Sequence, residues 1–195
     1  MRCRRPLSPR ARRIALILMD VDGVLTDGSL SLIGSDAESK TYDVKDGVGL
    51  WIARRVGLRI GLISGRGGVA VARRAAELGM HEVHLRVNDK LQTYIRVARR
   101  QKLSDAQICY VGDDITDLPV LARVGMPVAV ADAHPEVLKR VLFVTRACGG
   151  RGAVREVVDT ILKAQGKWEE VLGWFDPELA RARRPRSAAA AEGQR

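Results

Sequence analysis

Ile14-Ala15-Leu16-Ile17-Leu18-Met19-Asp20-Val21-Asp22-Gly23-Val24-Leu25-Thr26-Asp27 is the stretch on which the reading of this chain turns. Six apolar residues run without a break and stop at an acid. The run is too short for the roughly 20 residues of a membrane span. It also falls below the about 7–15 apolar residues of a secretory signal core, although basic residues precede it. It predicts instead a strand buried on both faces, in a cytoplasmic protein. Alternate side chains of an extended backbone share a face, so Asp20 and Asp22 point to the same side at the carboxyl end of that strand.

Outward from it, Arg59–Ile63, Glu82–Leu85, Gln107–Val111 and Pro127–Val130 read as further short strands. Between and after them, Gly47–Val56, Gly68–Leu78, Lys90–Gln101, Thr116–Val124 and Gly152–Gln165 carry helix-compatible spacing. The alternation predicts an α/β fold with a doubly wound parallel sheet, covered by helices on both faces. Gly28–Tyr42 departs from it. Ser29–Ile33 and Glu38–Tyr42 flank a Gly34-Ser35-Asp36 turn, which is a β-hairpin signature. That hairpin should project over the carboxyl edge of the first strand, where open parallel sheets bind ligands. It can serve there as a lid or as an assembly surface.

The 195 residues carry a formal net charge of +10, and its location matters more than its size. Residues 1–13 hold six arginines and no acid, and residues 181–195 hold five arginines against Glu192. Residues 14–180 are formally neutral. The chain is therefore read as a disordered basic tail (1–13), one folded domain (14–166) and an extension (167–195) that is disordered after about residue 180. No specific nucleic-acid partner and no membrane span are expected. Cys3, Cys109 and Cys148 are odd in number and form no Cys-x-x-Cys pair, which argues against a disulfide scaffold or a zinc site. His81-Glu82-Val83-His84 lacks the spacing of a zinc protease, and His134 suits a helix cap better than a pocket.

Motifs with chemical content follow four successive strands. Asp20 to Asp27 follows the first and Ile63-Ser64-Gly65-Arg66 the second. Lys90 opens the helix after the third, and Val111-Gly112-Asp113-Asp114-Ile115-Thr116-Asp117 follows the fourth. Singly, each has a plain reading as a turn or a solvated lysine. Together, on one sheet edge, they suit phosphate ester hydrolysis. A carboxylate at Asp20 can attack phosphorus and form an acyl phosphate, splitting one hard displacement into two easier ones. Asp22 can protonate the departing alkoxide and then take a proton from the hydrolytic water. Attacking carboxylate and phosphoryl group repel each other, so cations are required. Mg²⁺, which takes oxygen ligands at about 2.0–2.1 Å, would join Asp20 to Asp113. Lys90 adds positive charge, and Ser64 a hydroxyl donor.

With Tyr42-Asp43-Val44-Lys45-Asp46-Gly47, Val128 to Pro135 and Gly149-Gly150-Arg151-Gly152-Ala153-Val154-Arg155-Glu156, these motifs resemble the haloacid dehalogenase superfamily. Within it, residues 14–166 are similar to the 3-deoxy-D-manno-octulosonate 8-phosphate (KDO 8-P) phosphatase family. An Asp two residues after the nucleophile, as at Asp22, marks phosphatases there rather than dehalogenases or P-type pumps. The resemblance implies a HAD-like Rossmannoid fold with a β-hairpin flap and no large cap domain. Asp20 is then the nucleophile and Asp22 the acid/base. Mg²⁺ is held by Asp20, the Asp22 main-chain carbonyl and Asp113, with Asp117 in support. Ser64 and Lys90 grip the phosphoryl group, and substrate contacts fall on Asp22, Asp43, Val44, Lys45, Asp46, Gly47, Arg66, Arg74 and Lys90.

The implied reaction releases KDO and inorganic phosphate through an aspartyl-phosphate, a step supplying lipopolysaccharide. The implied assembly is a homotetramer whose hairpins pack together while a neighbouring subunit helps close each site. Lys45 stands where many bacterial members have Arg, and Trp51 where several have a basic residue. Two alternatives compete with this reading. One is a phosphatase for a related nine-carbon sugar acid (KDN 9-phosphate type). The other is a non-catalytic oligomerisation module, against which the intact Asp20, Asp22, Lys90 and Asp113 count.

Overall fold

A computed structural model of the chain describes residues 7–33, 37–176 and 178. The chain opens with a short helix, α1 (Leu7–Ala11), and enters β1 (Leu16–Met19). A hairpin of β2 (Ser31–Ile33) and β3 (Ala37–Ser39) leads into α2 (Val44–Arg55). Then β4 (Arg59–Ile63), α3 (Val69–Glu77), β5 (Glu82–His84) and α4 (Lys90–Gln101) alternate. They are followed by β6 (Ile108–Gly112), α5 (Leu118–Leu121), β7 (Met126–Ala129), α6 (Pro135–Leu138) and β8 (Phe143–Val144). Two further helices, α7 (Ala153–Ala164) and α8 (Trp168–Gly173), come after the sheet.

The sheet runs β5-β4-β1-β6-β7-β8 with every pairing parallel, the doubly wound arrangement expected. β1 lies where the succession reverses. From it the chain builds outward through β4 and β5, then returns to β6 and continues to β8 on the other side. Loops after β1 and β6 therefore part, leaving the crevice in which such sheets bind ligands. Every residue of β1 and β6 is buried, as parallel strands covered on both faces must be.

Helix α7 shows how the cover is made. Val154, Val157, Val158, Ile161 and Leu162 recur at i, i+3, i+4, i+7 and i+8, and all are buried. Each such side chain contributes about 1.5–3 kcal/mol by leaving water. In α4 the buried stripe is Tyr94, Val97 and Ala98. Asp89 caps this helix by accepting the Gln92 N–H at 2.9 Å, and Lys102, in the left-handed conformation at φ 55°, ends it.

Three features differ from expectation. Residues 1–13 are not disordered throughout: α1 buries Ala11, Arg10 donates to the Gly125 carbonyl at 2.7 Å, and Arg12 donates to the Ala164 carbonyl at 3.1 Å. Those arginines bond to the domain instead of standing clear of it. The single helix expected over Thr116–Val124 is a 3-10 turn, Ile115–Asp117, followed by the separate α5. Pro119 has no N–H for the Ile115 carbonyl, which breaks the ladder. Finally α6, β8 and α8 carry too few periodic residues to be read in advance. His134 does cap α6, accepting the Glu136 N–H on Nδ1 at 3.1 Å. The Gly34-Ser35-Asp36 turn and the arginine-rich residues 181–195 lie outside the described residues.

Candidate active site

Asp20 directly follows β1 and is only 8% exposed. Its Oδ1 accepts the Val21 N–H at 2.7 Å, and its Oδ2 accepts Lys90 Nζ at 2.6 Å. Lys90 is the first residue of α4, so the Asp89 cap that starts the helix also sets where the ammonium is delivered. The same ammonium donates to Asp117 Oδ1 at 2.7 Å, placing one cation between two buried carboxylates. Asp117 is a hub. The Tyr110 hydroxyl also donates to its Oδ1 at 2.7 Å, and the Asp113 and Asp114 N–H groups reach its Oδ2 at 3.1 and 3.4 Å.

Carboxylate oxygens of Asp20, Asp113 and Asp117 lie within 4.8 Å of one another. Burial, reinforced by the Asp117 charge, pushes the Asp20 carboxyl up to about 6 and the Asp113 carboxyl up to about 7. Asp113 Oδ1 is buried with no hydrogen-bond partner among the described residues. An all-oxygen cluster with excess negative charge and an orphaned acceptor fits a hard divalent cation. Each Asp117 oxygen already meets two donors and each Asp20 oxygen one, while Asp113 Oδ1 meets none, so Asp20 and Asp113 keep the acceptor capacity for it. Gly23 makes room: its φ is +83°, and a Cβ there would overlap the Asp113 carboxylate.

Ser64 follows β4 and is buried; its Oγ accepts the Arg66 N–H at 3.2 Å, leaving the hydroxyl proton free to donate. Asp20, Asp22, Ser64, Arg66, Lys90 and Asp113 all line one cavity of about 620 Å³ at the carboxyl edge of the sheet. That volume suits a small-molecule ligand. A cavity of about 700 Å³ lies beside Ile14, Gly57 and Gln165, at the other edge, and among the described residues no acid lines it. The acidic cluster opens into the first.

Asp22 turns toward the hairpin. Lys40, just after β3, donates to its Oδ1, and Arg66 Nε lies 3.9 Å from its Oδ2. Lys40 and Tyr110 went unread in the sequence. For Lys40 the signal was its two-residue offset from Glu38, which puts both on one face of a strand. For Tyr110 it was a hydroxyl in an otherwise apolar strand, which needs a buried partner.

Of the other expected substrate contacts, Asp43, Val44, Lys45, Asp46, Gly47 and Arg74 do not line this cavity in the single chain. Asp43 caps α2, accepting the Lys45 N–H at 2.7 Å. Val44 and Lys45 stand exposed. Asp46, expected among the substrate contacts, is engaged within the single chain. It is buried, with Oδ1 accepting the Arg155 N–H at 2.8 Å and Oδ2 the Gly152 N–H at 3.2 Å. Its carboxylate thus caps α7 from α2. Arg74 pairs with Glu77 at 2.9 Å, lies over the Tyr42 ring and fills the space a Cβ at Gly47 would need. Trp51 packs edge-on to Trp174, with Arg55 over both rings.

The Gly149–Gly152 loop buttresses the turn that follows β1. Gly150 N–H donates to the Val24 carbonyl at 2.9 Å, and Gly149 N–H to Asp132 at 2.9 Å. A Cβ at Gly149 would overlap the Gly23 carbonyl, so glycine permits this close approach.

Residues 69–154 match the haloacid dehalogenase-like hydrolase family. The 3-deoxy-D-manno-octulosonate 8-phosphate phosphatase of Salmonella typhimurium is 40% identical over 175 residues, which is 88% of this chain and 93% of that protein. The crystal structure of the Yersinia pestis phosphatase of the same name superposes with a TM-score of 0.82 at 41% identity, covering 84% of this chain and 88% of its own. The Moraxella catarrhalis phosphatase, crystallised with a magnesium ion, a phosphate ion and KDO, gives 0.85 at 32% identity over 87% and 98%. The chain belongs to the haloacid dehalogenase-like hydrolases, in the 3-deoxy-D-manno-octulosonate 8-phosphate phosphatase family.

Proposed function

We propose that this enzyme hydrolyses 3-deoxy-D-manno-octulosonate 8-phosphate to the free sugar acid and inorganic phosphate, with Asp20 as nucleophile. The carrying observation is the convergence of Asp20, Ser64, Lys90 and Asp113 on one cavity at the sheet's switch point. An Asp20 oxygen forms a bond to phosphorus while the ester P–O bond breaks, and Asp22 gives its proton to the departing alkoxide. Water then attacks the acyl phosphate, passing a proton to Asp22 and releasing Asp20. Lys90 and Ser64 hold phosphoryl oxygens through the ammonium and the free hydroxyl proton. Asp20, Asp113 and the Asp22 main-chain carbonyl would hold Mg²⁺, which supplies the positive charge that lets a carboxylate approach a phosphate. The Moraxella catarrhalis complex, with magnesium, phosphate and KDO, supports both the ion and the substrate class.

The finer reading is a cytoplasmic homotetramer supplying lipopolysaccharide synthesis. Among the described residues no helix is long and apolar enough to cross a membrane. Assembly would also bring the exposed Val44 and Lys45, and Arg74, toward a site completed by a neighbouring subunit. Phosphate release from the eight-carbon and nine-carbon sugar-acid phosphates, with Mg²⁺ and then with EDTA, tests the substrate. Asp20→Asn tests the chemistry. The variant should fold and lose turnover by about 10³-fold or more; a variant that keeps turning over would dismiss Asp20 as nucleophile. A tenfold preference for the nine-carbon substrate would reassign the enzyme.

A further inference from the structure

Two acids and two bases form a closed ring at the mouth of the cavity. Lys40 donates to Asp22 Oδ1 and lies 3.1 Å from Glu38 Oε1. Arg66 Nη2 lies 2.8 Å from Glu38 Oε2, and its Nε is 3.9 Å from Asp22 Oδ2. Charge alternates around the ring, and its members come from three segments: the β1 loop, the β4 loop and the hairpin. Exposed ion pairs contribute little. This ring is different at one corner: the Lys40 side chain has no solvent exposure, against 50% for Arg66. A desolvated ammonium is costly unless paired, so Lys40 is committed to its two carboxylates.

We propose that Lys40 is a positioning residue for the reaction, aiming the Asp22 carboxyl group, which carries the proton when it acts as the acid, at the leaving-group oxygen and making the hairpin part of the catalytic apparatus. The inference rests on the phosphatase reading above. Asp22 follows the nucleophile by two residues on a loop and, unlike Asp20, is not fixed by Lys90 or by α4. With Arg66 half exposed and 3.9 Å away, the firm hold on Asp22 is that of Lys40. Removing the ammonium would free the carboxylate to rotate while leaving Asp20, Lys90 and Asp113 in place. The simpler role, in which Lys40 only anchors the hairpin base, predicts a different kinetic pattern.

The leaving group separates the two. An alkyl phosphate such as the sugar-acid ester needs a proton on its departing oxygen, whereas p-nitrophenolate leaves without one. Lys40→Met, Lys40→Arg, Asp22→Asn, Asp20→Asn and the parent enzyme would be compared on both substrates, following alcohol or phenol release in a single turnover. Positioning predicts that Lys40→Met slows release from the alkyl ester by about 30-fold or more with KM within about threefold, and slows p-nitrophenol release by less than about threefold. Lys40→Arg should recover most of the loss. Equal slowing on both substrates, or none on either, overturns the proposal. Should Lys40→Met melt below the assay temperature, Glu38→Gln carries the same test by loosening the ammonium from the hairpin side. Turnover by Asp20→Asn would sink the phosphatase reading itself. A leaving-group split in Asp22→Asn without one in Lys40→Met would sink only the role of Lys40.

Discussion

Lys90 Nζ lies 2.6 Å from Asp20 Oδ2, so the charge proposed to steady a phosphoryl group already serves the folded protein. Without it, Asp20 and Asp117 would face each other in a buried site with nothing between them. Burial opposes charge on Lys90, yet its two carboxylate partners raise its pKa above the ordinary value and keep it an ammonium.

Lys90→Ala should therefore lose both activity and stability. Taking one partner from a buried pair costs about 3–5 kcal/mol, because the other is left uncompensated. Turnover should fall by about 10³-fold, the scale for losing a group that meets transition-state charge. Phosphate release and urea denaturation would report the two losses. A variant retaining a tenth of parental turnover would place Lys90 outside the chemistry.

Asp46→Ala should act on the fold rather than on the substrate. It would strip the Gly152 and Arg155 N–H groups of their acceptor at the start of α7, at a cost of about 1–3 kcal/mol. For a chain of this size each kcal/mol lowers Tm by about 2–4 °C. Thermal melting beside steady-state kinetics decides the matter. A raised KM with an unchanged Tm would restore Asp46 as a direct substrate ligand.

The sheet and the four loops that line the cavity were legible because they rest on short-range rules. A buried run ending in Asp20, a capped helix beginning at Lys90 and a glycine at Gly23 each leave a local signature. Ring partners and hubs do not. Whether Asp46 meets substrate or the α7 N-terminus depends on α2 and α7 packing so that Asp46 reaches Gly152, 106 positions away. Asp117 looked like a supporting residue, and only the three-dimensional arrangement shows Lys90, Tyr110 and two backbone N–H groups meeting there. The basic tail was misread in part because charge run and composition say nothing about which arginines find carbonyl partners, as Arg10 and Arg12 do.

Metal and protons should compete at Asp20 and Asp113. Both carboxyls titrate above their ordinary 3.8 in the folded chain, at about 6 and about 7. Between roughly pH 4 and 7 the folded state thus holds more protons than the unfolded state, so metal-free stability contributed by these groups is lost as pH rises. A divalent cation binds the ionised pair and should stabilise most where protons no longer compete. The expected Mg²⁺-induced rise in Tm is large at pH 8 and small at pH 5.5, and Asp113→Asn should flatten the difference. An equal or larger rise at the lower pH would mean that the ion sits elsewhere.

Leu30, Leu32 and Ile33 are 47%, 76% and 59% exposed on the hairpin, an arrangement that the single chain does not justify. Large apolar side chains exposed on a two-stranded ribbon invite cover by another protein surface. If four hairpins supply that cover to one another, a charge at the centre should be poorly tolerated. Leu32→Asp would bury a carboxylate in each of four copies, close to its symmetry mates, and should shift sedimentation from a species of four 21.4 kDa chains to smaller ones. The variant's six-stranded sheet and core should survive, because Leu32 belongs to neither, so its circular dichroism should match the parent. Parental enzyme that sediments as a monomer, or a Leu32→Asp variant that still sediments as a tetramer, would remove the hairpin as the assembly surface.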